Sequence, residues 1–482
     1  MKRLFHRTLI SLTLCALLAS ALVLPASAAS FEDVPDGHWA AGSIHRCVEQ
    51  GFFNGESATR FGVGHEMTRS AFTVVLCRFF GWETSTPAET VYPDVASDVW
   101  YAGAIQAAYE HGAITNQRET FRPADPLTRE ELAVMLVRAL GYGSISGLSQ
   151  NLPNPFTDVT TNAGYISMAY HLGLVSGTSA DTFSPNRAAT REQVAVILMR
   201  LYDKLQAADP RRVSIVSTPE DVEGVSAVAI PAAQLVSSKI VSTMLPEETA
   251  PILEAAHQAD IPALLYVPGS KLALNDVNQT HKNVMDAVTA GGYDGIFLDF
   301  SKLTYRNVKS MNSLVNKLNT SLGDKLLYLT ADAPTPNSKG TPAYDYATLS
   351  RLADQLFLKI EPMQDPVGTF MVAPPAPPES IYFALASLQS STESGKLALM
   401  FSATHSTWLK TREFPMTAEE LSALLEGEET KINTSERYAC SYFSGPVAKK
   451  QVVTGWYLEE DTLNVRLQLA SLLGTNCVCL TN

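Results

Sequence analysis

The sequence predicts a multidomain protein in which an all-α N-terminal half precedes a C-terminal (β/α)8 TIM-barrel domain. Three observations predict this fold class. A motif pattern occurs three times between residues 30 and 205, and apolar segments alternate with helical ones between 211 and 482. In addition, no turn-forming residue interrupts the run over 296–300, which is apolar except for Asp299. Because the 482 residues exceed what one hydrophobic core usually supports, several domains are expected.

Composition restricts the class of protein and of partner. The chain is 46% hydrophobic and 18% charged, which is ordinary for a soluble globular protein. Its formal net charge is −13 and its basic residues are scattered, which argues against nucleic acid as a partner.

The N-terminus is typical of a secretion signal. Three basic residues among the first seven precede an apolar run over 9–24, and Ala26-Ser27-Ala28 forms a small-x-small cleavage site. We therefore predict a signal peptide over 1–28 and an exported mature protein. A membrane anchor is the alternative interpretation, but the apolar run is short and ends at Pro25. No later stretch is long and apolar enough to span a bilayer, so no transmembrane segment is expected once the signal is removed.

Residues 30–205 contain a motif that repeats about every 60 residues. Each copy opens with an Asp-Val pair, continues with an amphipathic helix that ends at a glycine, and closes with a Thr-Arg pair that begins a second helix. The Thr-Arg pairs are Thr68-Arg69, Thr128-Arg129 and Thr190-Arg191. Threonine is a favourable N-cap. Two helices cannot bury their apolar faces alone, so the three copies are expected to pack together.

This pattern resembles the S-layer homology (SLH) domain, with modules over 30–86, 91–145 and 154–205. The resemblance implies a three-lobed helical prism with glycan in the grooves between lobes. It also implies non-covalent anchoring to a secondary cell-wall polysaccharide, in this family often a pyruvylated one. The expected location is therefore the cell wall or S-layer of a bacterial cell surface.

Five residues of these modules are candidates for glycan binding: Trp39, Arg69, Trp100, Arg129 and Arg191. A guanidinium at a helix N-terminus suits an anionic sugar, and an indole offers a flat apolar face to a sugar ring. The alternative is that these side chains only hold each lobe together. The first module lacks the acid that follows the arginine, and the third has Tyr165 at the tryptophan position and Gln193 at the acid position. We therefore expect one or two weak grooves and an intact second module.

A short linker over 206–210 leads to the predicted barrel over 211–482. The predicted strands are 213–217, 227–231, 263–267, 295–300, 326–330, 355–360, 397–402 and 477–480. Helical stretches include 247–259, 280–290, 307–322 and 462–473. Eight strands with helices between them favour a (β/α)8 barrel, and a doubly wound open sheet is the alternative. No Gly-x-Gly-x-x-Gly follows the first strand, so no dinucleotide cofactor is expected.

Chemistry in such a barrel lies at the C-terminal ends of the strands. The candidate cleft residues are Asp294, Asp299, Ser301, Glu361, Trp408 and Trp456. Side chains alternate along a strand, so Phe297, Asp299 and Ser301 share the face that points into the lumen.

The stretches 293–301 and 455–460 resemble glycoside hydrolase family 18, which includes chitinases and peptidoglycan-acting relatives. The resemblance implies that a glutamate protonates the leaving oxygen and that the acid two residues earlier orients the N-acetyl group of the substrate. Here Asp299 occupies the second position and Ser301 the glutamate position, so the standard general acid is missing. Losing general acid catalysis typically lowers the rate about 10²–10⁴-fold. The sixth strand also departs from the family pattern and ends at Glu361.

Three interpretations of Asp299 follow. It is a relic carboxylate held by hydrogen bonds, a sugar-contacting residue in a binding cleft, or a catalytic acid with a replacement partner such as Glu361. The tryptophans Trp408 and Trp456 are sugar platforms or caps of the barrel core. Cys47 and Cys77 are free to pair or to pack, and the cysteine spacing fits no zinc site, so no metal is expected.

The sequence thus predicts a wall-anchored protein whose family 18-like barrel binds a glycan or a partner without standard catalysis. The alternative is a weak glycoside hydrolase that acts on an N-acetylated wall glycan through a replacement acid.

Overall fold

The computed structural model describes residues 31–115, 120–147, 152, 154–207, 209–336, 341–360, 374–402, 405–409, 412–435, 438–447 and 451–481. The predicted signal peptide and Glu361 lie outside these residues. The chain divides into two compact units, and the boundary between Gln206 and Ala207 falls within the predicted linker.

Each repeat of the first unit contributes two helices to the described structure. They are α1 Ala41–Glu49, α2 Arg69–Phe80, α3 Ala102–Glu110, α4 Arg129–Ala139, α5 Ala163–His171 and α6 Arg191–Leu205. The second helix of each repeat begins directly after the predicted threonine N-cap. In the second repeat Thr128 and Glu131 form a reciprocal capping box, which fixes the start of α4.

A ring of backbone hydrogen bonds joins the three repeats. Met67 N–H donates to the carbonyl of Ala189 at 2.9 Å, Leu127 N–H to that of Met67 at 2.7 Å, and Ala189 N–H to that of Leu127 at 2.8 Å. Each of these residues immediately precedes the N-cap of its helix. Because every repeat gives one bond and receives one, the three repeats form a single body.

The aspartate that opens each repeat is a structural acceptor. Its carboxylate accepts a hydrogen bond from the backbone N–H of the phenylalanine in the turn between the two helices, at 2.8 Å in all three repeats. The pairs are Asp33 with Phe61, Asp94 with Phe121 and Asp158 with Phe183. These bonds position the turn that contains the phenylalanine.

The second unit is built on a closed barrel of eight parallel strands. With strands numbered along the chain, these are β1 Arg211–Ile215, β2 Ala227–Ile230, β5 Ala263–Ser270, β6 Gly295–Ser301, β7 Leu326–Asp332, β8 Gln355–Lys359, β9 Leu397–Ser402 and β15 Cys477–Thr481. Their order around the barrel is β1-β15-β9-β8-β7-β6-β5-β2. All eight predicted strands are confirmed, and the open-sheet alternative is wrong.

Helices surround the barrel between successive strands. They are α7 Pro246–Gln258, α8 Val277–Ala290, α9 Val308–Leu322, α10 Tyr346–Leu352, α11 Pro378–Leu388 and α13 Glu460–Leu472. The four predicted helical stretches correspond to α7, α8, α9 and α13 within a few residues. In α9 the buried side chains recur at the spacing of one helical face, which packs against the barrel.

Two additional elements extend the barrel. A hairpin, β3 Ala233–Val236 and β4 Lys239–Ser242, follows β2. An insertion follows β9 and contains β10 His405–Leu409, β11 Arg412–Glu413, α12 Ala418–Leu425, β12 Lys431–Ser435, β13 Cys440–Val447 and β14 Gln451–Tyr457. Its strands form an antiparallel sheet in the order β11-β10-β14-β13-β12. Sequence reasoning did not predict either element.

Aromatic side chains fill the barrel interior at its middle level. Phe297 is fully buried, and its ring centroid lies 4.7 Å from that of Phe357, 5.5 Å from Tyr266 and 5.9 Å from Tyr328. The lumen is therefore packed below Asp299, and only its C-terminal mouth is left for binding.

All cysteines in the described residues are free and buried. Cys47 lies against the carbonyl of Ala195 and Cys77 against that of Ala104, so the pairing of these two cysteines that the sequence left open does not occur. In the described part of the chain, no helix has the length and apolar character needed to cross a membrane.

Candidate functional site

Asp299 lies at the mouth of the barrel inside a cluster of three donors. Its Oδ1 accepts hydrogen bonds from Thr330 Oγ1 at 2.6 Å and Lys359 Nζ at 2.9 Å, and its Oδ2 accepts one from Tyr266 OH at 2.6 Å. The four residues come from the consecutive strands β5, β6, β7 and β8. The side chains of Asp299 and Lys359 are each only 16% exposed. We call these four residues the lumen cluster.

The lumen cluster keeps Asp299 ionised. Burial raises the pKa of this carboxyl, but the charge of Lys359 and the hydrogen bonds from Thr330, Tyr266 and Lys359 outweigh burial and lower it. Burial and the neighbouring carboxylate raise the pKa of Tyr266, so its hydroxyl remains a neutral donor. An ionised carboxylate that accepts three bonds is not a proton donor at neutral pH.

Sequence reasoning missed Tyr266, Thr330 and Lys359, and Lys359 is the charged residue among them. Its Nζ also lies 3.6 Å from Asp332 Oδ1 and 3.4 Å from the carbonyl of Phe300. The available signal was a lone lysine in an apolar strand, two residues beyond Phe357 and therefore on the lumen face. The ammonium lies between two carboxylates and neutralises the charge of the mouth.

The other predicted barrel residues are dispersed. Ser301 ends β6 on the lumen face and is exposed, two residues beyond Asp299. Asp294 precedes β6 at the opposite end of the barrel, where it accepts a bond from Ala263 N–H at 2.9 Å and contacts His257 at 3.0 Å. Asp294 therefore does not line the mouth. Glu361 lies outside the described residues.

Trp408 and Trp456 lie on neighbouring strands of the insertion and not at the ends of barrel strands. Trp456 is buried and makes edge contacts with Tyr442 and Tyr438, at centroid distances of 5.1 and 5.7 Å. Trp408 packs against the same cluster, and its indole N–H has no hydrogen-bond partner among the residues that the structure describes. The two tryptophans thus share one aromatic face of the insertion sheet.

A buried arginine fixes the insertion to the barrel. Arg466 of α13 is fully buried, and its guanidinium donates to five backbone carbonyls. The acceptors are Pro375, Ala376, Tyr438, Ala439 and Thr462. Burial lowers the pKa of Arg466 to about 10, so the side chain remains a cation. Sequence reasoning missed this residue because an arginine on an amphipathic helix usually faces solvent.

In the first unit, the three motif arginines each cross from one repeat to the next. Each Nε donates to the carbonyl of a phenylalanine in the following repeat at 2.8–2.9 Å, and each guanidinium lies 4.5–4.9 Å from the centroid of that ring. The pairs are Arg69 with Phe121, Arg129 with Phe183 and Arg191 with Phe61. The arginines therefore line the inter-repeat grooves and also hold the repeats together.

The grooves differ in electrostatic character. Arg69 forms an ion pair with Glu131 at 2.9 Å, and Arg122 contacts the same carboxylate. The cavity beside Arg69, about 170 Å³, is also lined by Glu130. Arg191 lies 3.9 Å from Glu56. Two of the motif arginines are thus paired with acids.

The groove at Arg129 is the exception. It encloses about 300 Å³ and is lined by Trp39, Arg129, Arg187, Gln193 and Arg200. Within the described residues, no carboxylate lines it. Burial and the like charge of Arg187 lower the pKa of Arg129 by more than the charge of Asp158 raises it. We call this groove the basic groove.

The two predicted tryptophans of the first unit are solvent-exposed. Trp39 is 64% exposed at the basic groove, and Trp100 is 70% exposed beside a larger cavity of about 750 Å³. The helix starts place Thr161 at the corresponding position of the third repeat. The assignment of Tyr165 to that position is wrong, because Tyr165 lies within α5 and its hydroxyl accepts a bond from Arg138.

Comparison with known proteins identifies the first unit by sequence. The model of the S-layer homology domain matches residues 30–73, 91–133 and 155–195. An endoglucanase of Bacillus sp. (strain KSM-635) is 36% identical over 185 residues, which cover 37% of this chain and 19% of that protein. The S-layer protein EA1 of Bacillus anthracis is 25% identical over 325 residues, 66% of this chain and 37% of that protein. The chain thus spans well under half the length of either relative.

Comparison of structures identifies the fold of the second unit. A chitinase from Chromobacterium violaceum superposes with a TM-score of 0.50 at 14% identity and covers 57% of this chain and 93% of the chitinase. At this identity the likeness shows the fold alone. The chain therefore contains three S-layer homology domains and a barrel with the fold of that chitinase. The S-layer homology domains indicate a cell-surface protein.

Proposed function

We propose that this protein is exported and held non-covalently on a secondary cell-wall polysaccharide by its three SLH domains. On that anchor it displays a barrel that binds glycan or a partner without standard catalysis. The observation that carries the proposal for the barrel is the lumen cluster, in which Lys359 neutralises Asp299 while Ser301 occupies the position of the general acid.

The anchoring half of the proposal rests on the basic groove. Three guanidinium groups converge there beside the exposed indole of Trp39, in a chain whose overall charge is −13. Guanidinium groups bind carboxylates through charge-assisted hydrogen bonds, and a pyruvylated sugar supplies a carboxylate next to an apolar ring face. The backbone ring at Met67, Leu127 and Ala189 supports the three-lobed arrangement in which such grooves recur.

Retention on purified wall sacculi tests this assignment. The full chain should pellet with sacculi and remain soluble after the wall polymer has been stripped chemically. Replacement of Arg129 with alanine should weaken retention more than replacement of Arg69, because Glu131 already neutralises Arg69. A hydrogen bond to a charged group is worth about 1.5–3 kcal/mol, so we expect a loss of about tenfold or more.

Arg187 and Arg122 give a sharper pair of variants, since Arg129 also holds the neighbouring repeat. Arg187→Gln removes a charge from the basic groove at an exposed position, and Arg122→Gln removes one that is already paired with Glu131. Retention should fall for Arg187→Gln and stay close to wild type for Arg122→Gln. Equal pelleting before and after stripping would count against the assignment.

The binding half of the proposal predicts affinity without turnover. The mouth keeps a carboxylate, an ammonium and two hydroxyl groups, which can bind sugar hydroxyls and an N-acetyl group. Titration of the full chain with N-acetylglucosamine oligosaccharides should give saturable binding that weakens in Asp299→Asn. Release of shorter oligosaccharides during the titration would favour the hydrolase alternative.

A further inference from the structure

The hairpin β3–β4 and the turn after β5 carry an exposed apolar surface. Val236, Val241, Leu245 and Leu272 are between 41% and 57% exposed, although each is a large aliphatic residue. The hairpin follows β2 and the turn follows β5, which are neighbours in the barrel. These four side chains therefore belong to one side of the mouth, and we call them the apolar rim.

Three exposed lysines lie at the apolar rim, and the exposed Glu247 and Glu248 follow Leu245. Lys239 lies at the hairpin tip, and Lys271 and Lys302 follow β5 and β6; all three are exposed. In the part of the chain that the structure describes, none of the three has an ion-pair partner. Positive charge around an apolar surface is unusual in a chain with 36 basic and 49 acidic residues.

Contacts with α8 and β5 hold the hairpin in place. The carbonyl of Ser238 at its tip accepts a hydrogen bond from Asn283 Nδ2 of α8 at 2.6 Å. Its inner face is buried through Leu235, which packs so closely on Gly269 of β5 that a Cβ there would lie 3.3 Å from the Leu235 Cβ atom. A rigid surface loses little conformational entropy on binding, so it is suited to a docking contact.

A groove of complementary character lies on the insertion. It encloses about 620 Å³ between α12 and the sheet, and its apolar lining includes Phe414, Met416 and Leu424. Glu428 and Glu429 are exposed at its edge, and no ion pair to either carboxylate occurs among the described residues. We call this surface the acidic groove.

The two surfaces lie on opposite sides of the barrel. The insertion leaves the barrel after β9, and β9 is four strands from β5 in the closed sheet of eight. Arg466 fixes the insertion on its own side through the carbonyls of Tyr438 and Ala439. The apolar rim and the acidic groove of one chain therefore belong to separate parts of the barrel circumference.

We infer that a second copy of this chain occupies the acidic groove and that it docks there through its basic apolar rim. The contact pairs aliphatic side chains with an apolar groove and lysines with glutamates, which gives both burial and charge complementarity. Because the two surfaces differ, each docked pair of copies leaves one rim and one groove free. Such head-to-tail contacts propagate, so the protein assembles into chains or rings and not into a closed two-fold dimer.

Sedimentation velocity of the full chain, with charge-reversal variants, tests the inference. The rim variant is Lys239→Glu with Lys271→Glu, and the groove variant is Glu428→Lys with Glu429→Lys. The wild type should associate over roughly 1–100 µM, and each variant alone should associate about tenfold or more weakly because like charges then face each other. An equimolar mixture of the two variants should associate again, since each then meets an oppositely charged partner.

A matched control removes the effect of net charge. Lys309→Glu with Lys317→Glu changes the charge by the same amount on exposed positions of α9, away from the rim. This control should associate like the wild type. A wild type that stays monomeric over the whole range would overturn the inference, as would a control that dissociates like the rim variant or a mixture that fails to associate.

Discussion

Replacing Lys359 with methionine tests the lumen cluster through its stability. Removing one partner of a buried ion pair costs about 3–5 kcal/mol, because the other charge stays buried without compensation. Here each partner keeps 16% exposure, and Asp299 keeps its bonds from Thr330 and Tyr266. We therefore expect the free energy of unfolding of the barrel to fall by about 2–4 kcal/mol at neutral pH. Hydrogen exchange of the β6 and β7 amides in the full chain measures this change.

The loss should depend on pH in a defined direction. The folded pKa of Asp299 is lowered, so its stabilising contribution is fully present above the ordinary carboxyl pKa of about 3.9 and is lost as the pH falls through the folded value. The difference between the wild type and Lys359→Met should therefore be largest above about pH 5 and shrink below about pH 3.

An exposed ion pair provides the matched control. Lys282 is 68% exposed and pairs with Asp286 at 2.8 Å on the surface of α8. Lys282→Met should cost less than about 1 kcal/mol, because solvent screens such pairs. An equal loss in both variants, or a loss from Lys359→Met that does not change with pH, would refute the argument from a buried charge.

Three further substitutions have defined outcomes. Arg466→Met leaves five carbonyls without their buried donor and should lower the unfolding free energy by about 3–5 kcal/mol, while Arg351→Met on the exposed face of α10 should change it by less than about 0.5 kcal/mol. Asp33→Asn weakens the acceptor of three backbone N–H groups and should lower the unfolding free energy by about 1–2 kcal/mol, as measured by thermal unfolding. Burial raises the pKa of Asp33, but the three hydrogen bonds lower it by more, so the folded pKa lies below the ordinary value. The cost of the substitution should therefore vanish as the pH falls below about 3. Tyr266→Phe removes one donor from Asp299 and should raise its pKa towards the ordinary value, which the carboxyl carbon chemical shift reports during an NMR titration.

The barrel strands and the repeats could be predicted from sequence for a physical reason. A parallel strand covered on both faces needs a largely apolar segment, and 397–401 is apolar throughout while 296–300 is apolar except for Asp299. Likewise, a threonine N-cap before an amphipathic helix is a local signal that survives in every repeat.

The insertion could not be predicted in the same way. Strand β12 is largely exposed, and glycine or proline interrupts the longer β13 and β14, so their alternation is a weak signal beside the barrel strands. The sequence therefore places Trp408 and Trp456 near the ends of barrel strands, although they lie on the paired strands β10 and β14 of the insertion sheet.

The roles of single charged residues depend on contacts between distant parts of the chain. The sequence indicated that Asp299 faces the lumen, but the pairing with Lys359 joins residues sixty positions apart. Arg129 and Arg69 have the same local motif, and only the tertiary placement of Glu131 and Arg187 distinguishes their electrostatic environments. The local sequence pattern predicts where a residue lies on its helix or strand. Its charged neighbours can be identified only once the tertiary structure is known.

The most direct measurement is product formation from N-acetylated glycans. The full chain would be incubated with N-acetylglucosamine oligosaccharides and with peptidoglycan, and the soluble fragments would be quantified by mass spectrometry. With Lys359 on Asp299 and a hydroxyl at Ser301, the barrel should release no more fragments than a blank without protein. Steady release that disappears in Asp299→Ala would contradict the account.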